Sequence, residues 1–212
     1  MNPRWLIPAV ALLGTVLGLG AAWQLTPRGP SDPSSQLVDA TVLFGRERPL
    51  PEFSLVDHHG KAFTNNEMAD RWTLLFFGYT HCPDVCPTTM IDVNAMLAEV
   101  RDANVKERLR VTFVSVDPKR DTTERLAQYV PFFNKDFVGV TGADAELAKF
   151  AGAFNAFYEI GEPDANGGYL VDHTSRMLLV DPRGRYTAVF GDKPKPKVMA
   201  HDLETIIRSY SG

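Results

Sequence analysis

The order of apolar and polar positions divides the chain into three parts. Trp5 to Leu25 is a run of 21 residues without a charge, in which only Thr15 and Gln24 are clearly polar. At about 1.5 Å per residue, a helix of that length reaches roughly 30 Å, one hydrocarbon thickness. Residues 1–25 are therefore expected to form a single N-terminal transmembrane helix that anchors the chain, with Trp5 and Trp23 at its two interfaces. Arg4 and the amino terminus favour an inside amino end, and Arg28 opposes that orientation. Gly20-Ala21-Ala22 would suit a cleaved signal peptide, but the run exceeds the apolar stretch of about 7–15 residues usual in one. Residues 26–51 hold Pro27, Pro30, Pro33, Pro49, Pro51 and three serines without a sustained period, and read as a Pro/Ser-rich tether. Within it, 37–44 is apolar enough to pack on the neighbouring domain. Residues 52–212 suffice for one domain with a proper core.

In that domain the period changes along the chain. Residues 53–63 alternate around His58-His59-Gly60, a hairpin signal. Residues 72–77 (Trp-Thr-Leu-Leu-Phe-Phe) are nearly continuous apolar, as a strand buried on both faces must be. Met90, Val93, Met96, Leu97 and Val100 then fall on one stripe of a helix over 87–100, with Pro87 at its first position. Residues 109–116 form a second buried strand. Asp121-Thr-Thr-Glu124 resembles a capping box opening a helix to Tyr129. A short strand at 137–140, a helix from Asp144 to about Phe157, strands at 177–180 and 186–190, and a closing helix over 198–210 complete the pattern. Strands alternating with helices predict an α/β fold, a mixed sheet covered by helices on both faces behind an N-terminal hairpin.

The net charge of −4 leaves no basic footprint, so no nucleic-acid partner is expected. The only two cysteines, Cys82 and Cys86, stand in Cys-Pro-Asp-Val-Cys-Pro directly after the apolar run Trp72 to Tyr79. Behind an export segment such a pair is ordinarily oxidised, and one that stays functional needs a reductant or a metal. If Pro87 opens the helix, Cys86 lies near its N-cap, where free N–H groups and the helix dipole favour thiolate. Three intervening residues suit a metal held between two sulfurs and still permit a disulfide. Sites in such sheets form at the carboxyl ends of parallel strands. His173 stands just before the strand at 177–180 and, in a thioredoxin-like arrangement, would face the dithiol. Two thiolates and an imidazole make a soft, low-coordinate site, which favours copper over hard ions and serves Cu(I) as well as Cu(II).

The segments 78–89 (Gly-Tyr-Thr-His-Cys-Pro-Asp-Val-Cys-Pro-Thr-Thr), 115–122 (Ser-Val-Asp-Pro-Lys-Arg-Asp-Thr) and Val171-Asp-His-Thr, followed by a strand and Asp181-Pro-Arg-Gly, resemble the Sco/SenC family. The resemblance runs from about Leu50 to Ser209 and takes in the layout of anchor and tether. It implies a thioredoxin-like fold, Cys82, Cys86 and His173 as copper ligands, and delivery of copper to the CuA site of cytochrome c oxidase subunit II. It equally implies an alternative, reduction of that site's cysteines by the dithiol. A copper donor protein and a thiol reductant are then candidate further partners. The compartment implied is the bacterial inner membrane, with the domain in the periplasm. Metal transfer, not catalysis, is the leading activity. A peroxidase would need Pro-x-x-x-Thr-x-x-Cys, and the residues before Cys82 do not supply it.

Plainer roles compete for the remaining polar residues. A structural disulfide between Cys82 and Cys86 would close too short a loop to stabilise much. His81 adjoins Cys82, but neighbours rarely ligate one ion together. His58 and His59 read as polar turn residues. Asp117 reads as a turn or capping residue or as a support to the site, Asp84 as an acceptor for loop or helix amides, and Asp172 as an orienting neighbour of His173. Met90 and Met177 read as core. Lys193, Lys195 and Lys197 read as a solvated loop.

Overall fold

The computed structural model describes residues 31–192 and 195–210. In the span assigned to the tether, a 3-10 turn at Ser34–Gln36 precedes two short strands, β1 (Thr41–Val42) and β2 (Arg48–Pro49). The hairpin forms as β3 (Ser54–Asp57) and β4 (Ala62–Thr64), turned through Gly60 at φ +76°. Thr64 and Glu67 close a capping box on the single-turn helix α1 (Asn65–Met68). The apolar run becomes β5 (Trp72–Gly78), buried at every residue. Next along the chain are α2 (Val85–Glu99), α3 (Ala103–Arg108), β6 (Leu109–Ser115), α4 (Thr123–Phe133), β7 (Val138–Thr141) and α5 (Asp144–Ala153). A separate hairpin, β8 (Tyr158–Ile160) and β9 (Val171–His173), leads to β10 (Leu178–Val180), β11 (Arg185–Val189) and α6 (Pro196–Tyr210).

The main sheet runs β1-β11-β10-β5-β6-β7-β3-β4, with β2 also on β11. Its centre, β5-β6-β7, is parallel, and every other pairing is antiparallel. The alternation of side chains sorts the helices onto two faces. Phe76 meets Phe113, which meets Tyr129 of α4. Phe77, one residue on, meets Phe150 of α5 and Phe154 just past its end. The α2 helix packs along α6 and touches α4. β8 and β9 pair only with each other.

Several boundaries differ from those expected. The α2 helix begins at Val85, two residues early, because Pro87 fits anywhere in a first turn whose N–H groups have no partner. Cys86 is therefore the second helical residue, and Asp84 stands at the N-cap without a side-chain capping bond. The α4 helix starts after Thr122, whose Oγ1 accepts the Arg125 N–H at 3.3 Å. Asp121 is drawn inward instead, and α4 runs on through Pro131 to Phe133. The span 31–51 lies on the domain. The buried carboxylate of Asp202 in α6 accepts the N–H groups of Val38, Asp39 and Ala40 at 2.8–2.9 Å. Among the described residues no helix is long and apolar enough to cross a membrane, and the segment 5–25 lies outside them.

Candidate metal centre

β5 delivers the chain to the site, and Gly78 makes room for it. A Cβ at Gly78 would stand 2.6 Å from the Phe113 ring and 2.9 Å from Cys86 Sγ. Beyond it Thr80 is pinned by Asp121, a fully buried carboxylate that accepts the Thr80 N–H at 2.8 Å, Thr80 Oγ1 at 2.6 Å and Ser115 Oγ at 2.5 Å. Arg125 Nε donates to Thr80 Oγ1 at 3.1 Å. The chain turns as the Cys82 N–H bonds the Tyr79 carbonyl at 3.2 Å. Cys82 is half-buried and Cys86 is buried, and both thiols are free. The Cys86 N–H points at Cys82 Sγ across 3.4 Å.

His173, the last residue of β9, closes the group. Its Nε2 stands 3.4 Å from Cys86 Sγ, and its Nδ1 stands 3.2 Å from the Thr174 carbonyl. A carbonyl can only accept, so Nδ1 carries the proton and Nε2 turns a lone pair towards the sulfur. One ligand atom from each of Cys82, Cys86 and His173 lies within 4.8 Å of the others. Burial pushes the Cys86 thiol well above its usual range and holds His173 below the usual imidazole range. The helix start thus does not make Cys86 an ordinary thiolate. Desolvation outweighs the dipole, and a bound cation is what would stabilise its anion.

Beside these three stands a polar group that includes Asp117, one of whose expected roles is support to the site, and also Arg120 and Tyr169, which the sequence does not reveal. Buried Asp117 is bridged by the Arg120 guanidinium and accepts the Tyr169 hydroxyl at 2.8 Å. Arg120 Nη1 donates to the Tyr169 carbonyl at 2.9 Å, and its guanidinium lies 3.5 Å from the Tyr169 ring centre. The Tyr79 ring meets His173 edge-on at 6.0 Å. Other candidates stand apart. His81 faces Asp121 at 3.7 Å and is outside the three-atom group. Asp172 is exposed opposite Glu159, since its neighbour takes the inward position. Met90 and Met177 are buried core residues. His58 is no plain turn residue: it is buried, and its Nδ1 accepts the Gly139 N–H at 2.9 Å.

A helix-covered sheet with a dithiol loop at the carboxyl end of its central strand, faced by an imidazole, defines a thioredoxin-like dithiol–histidine protein. The chain belongs to the SCO1/SenC family, whose model matches residues 45–208. It is 36% identical over 158 residues to the human mitochondrial SCO1 homolog, which covers 74% of this chain but about half, 52%, of that relative. A crystal structure of Arabidopsis thaliana ScoI with copper bound matches 76% of this chain and 98% of that one at 32% identity, with a TM-score of 0.70. Bradyrhizobium japonicum ScoI with copper bound matches 74% of this chain and 98% of its own at 35% identity, with a TM-score of 0.66.

Proposed function

We propose that this protein binds one copper ion through Cys82 Sγ, Cys86 Sγ and His173 Nε2, and hands it to the CuA site of cytochrome c oxidase subunit II. The convergence of two thiols and an oriented imidazole within 4.8 Å carries the reading. The donor set is soft and accepts both Cu(I) and Cu(II). Solved relatives with copper bound support copper as the cargo. The uncharged run at 5–25 supports anchorage in the bacterial inner membrane with the domain in the periplasm.

Titration of the reduced protein should saturate at one equivalent of copper, and His173→Ala should weaken Cu(II) binding on the order of 100-fold. Retained tight Cu(II) binding in that variant would remove the histidine from the ligand set. One observation favours a second reading, as a thiol–disulfide oxidoreductase for the CuA cysteines. Cys82 is accessible, and Cys86 lies behind it as a resolving thiol. Copper occupies both sulfurs, so the two activities exclude each other on one molecule. Oxidase assembly in cells carrying only His173→Ala separates them. Normal CuA content there, with failure of Cys82→Ser and Cys86→Ser, would replace copper delivery by the reductase reading.

A further inference from the structure

The end of the sheet opposite the dithiol has its own character. There the β1–β2 turn, the start of β5, the end of α3, the β10–β11 turn and the end of α6 surround a cavity of about 380 Å³. Trp72, Arg108, Arg183, Arg185, Glu47 and Tyr210 line it. Its acids are turned inward. Asp181 is buried and bonds Arg185 at 2.6 Å, while Glu47 accepts the Tyr210 hydroxyl and the Gly45 N–H. Exposed at this end are Arg46, Arg48, Arg71, Lys106, Arg108 and Arg183, against the exposed acids Asp32, Asp70 and Glu107. A cationic pole on a chain of net charge −4 is a marked asymmetry. Trp72, 1% exposed, adds a buried indole N–H that finds no acceptor among the described residues.

The chain enters the domain at this same pole. The Ser31 N–H donates to the Ser209 carbonyl at 3.3 Å, one residue from Tyr210 on the cavity wall. Six residue steps separate Ser31 from Leu25, where the uncharged run ends. At no more than about 3.6 Å per step, a stretch of that length can reach at most roughly 20 Å. We propose that this arginine pole seats on an anionic phospholipid surface, with a headgroup phosphate entering the cavity. The orientation rests on the reading that residues 5–25 anchor the chain. The attraction itself rests on the charge and on the cavity. The metal centre then faces away from the bilayer, beyond the length of β5, about 20 Å.

Arginine footprinting tests this on the full-length chain reconstituted into vesicles of phosphatidylcholine alone or with about one-third phosphatidylglycerol. Phenylglyoxal modification of Arg46, Arg71 and Arg183 should fall at least fivefold in the anionic vesicles and recover at high salt. Arg176, exposed beside the metal centre, should react equally in both. The paired charge reversal Arg46→Glu with Arg183→Glu should abolish the protection at Arg71 while leaving copper stoichiometry unchanged. Equal modification of the pole in both vesicles would overturn the proposal. So would equal protection by inorganic phosphate in neutral vesicles, which would make the cavity a site for soluble anions. A chain that fails to float with neutral vesicles would overturn the anchor instead. Salt-sensitive recruitment by anionic vesicles would in that case still support the pole, and its absence would overturn it.

Discussion

A single missing methyl group determines how closely the dithiol approaches its strand. Cys86 Sγ occupies the space a Gly78 side chain would need. Gly78→Ala should cost about 1–3 kcal/mol by overpacking. It should also move the sulfur away from His173, so copper affinity should fall together with the denaturation midpoint. Intact affinity at reduced stability would show that Cys86 has room to shift. His58 makes a pH-sensitive contact outside the three-residue group. Its Nδ1 accepts the Gly139 N–H, and burial, with the tilted His59 ring 4.0 Å away, holds it below the usual imidazole range. Below about pH 6.5 the unfolded chain therefore takes a proton that the folded chain refuses. Stability is full above that pH and declines as pH falls towards the folded value. Denaturation midpoints at pH 7.5 and 5.5 should differ less in His58→Asn, which keeps an acceptor and does not titrate.

At the scale of elements, two buried carboxylates hold segments that have no regular structure of their own. Asp121 fixes the turn into Cys82 through three donors, and Asp121→Ala should cost about 3 kcal/mol and loosen copper binding with it. Asp202 ties residues 38–40 to α6. Asp202→Ala should speed proteolysis between residues 31 and 44 while sparing copper stoichiometry. Nicking no faster than in the parent chain would show that β1 and β2 hold the segment unaided. These roles explain what the sequence makes legible. β5 and β6 announce themselves as apolar runs because both faces are covered. Cys82 and Cys86 stand out as the only cysteines, and His173, one of five histidines, by its place before a strand and by the resemblance of Val171-Asp-His-Thr. β1, β2, β8 and β9 do not, being two or three residues long and partly exposed, without a period to read. Asp121 resembles a helix cap by spacing alone. Arg120 and Tyr169, 49 residues apart, meet only once the fold exists.

The molecule as a whole carries the three proposed metal donors on two separately supported bodies. The dithiol belongs to β5 and α2, rooted in the main sheet, whereas His173 belongs to a hairpin that pairs with no strand of that sheet. Contacts such as those of Asp117 and Arg120 with Tyr169 lean the hairpin against the rest. Copper bound as proposed would join Cys86 to His173 across a sequence separation of 87, and so would act as a removable cross-link. Loading should slow amide exchange across residues 158–174 more than in β5 or β6, where the sheet already protects the backbone. The same division makes release divisible. If copper is held and handed on as proposed, an incoming ligand from the acceptor would displace the imidazole while both sulfurs still held the ion, and the sulfurs would then exchange one at a time. The ion would never have to pass through water. Its transfer rate should rise with acceptor concentration well past the rate at which copper leaves the protein unaided.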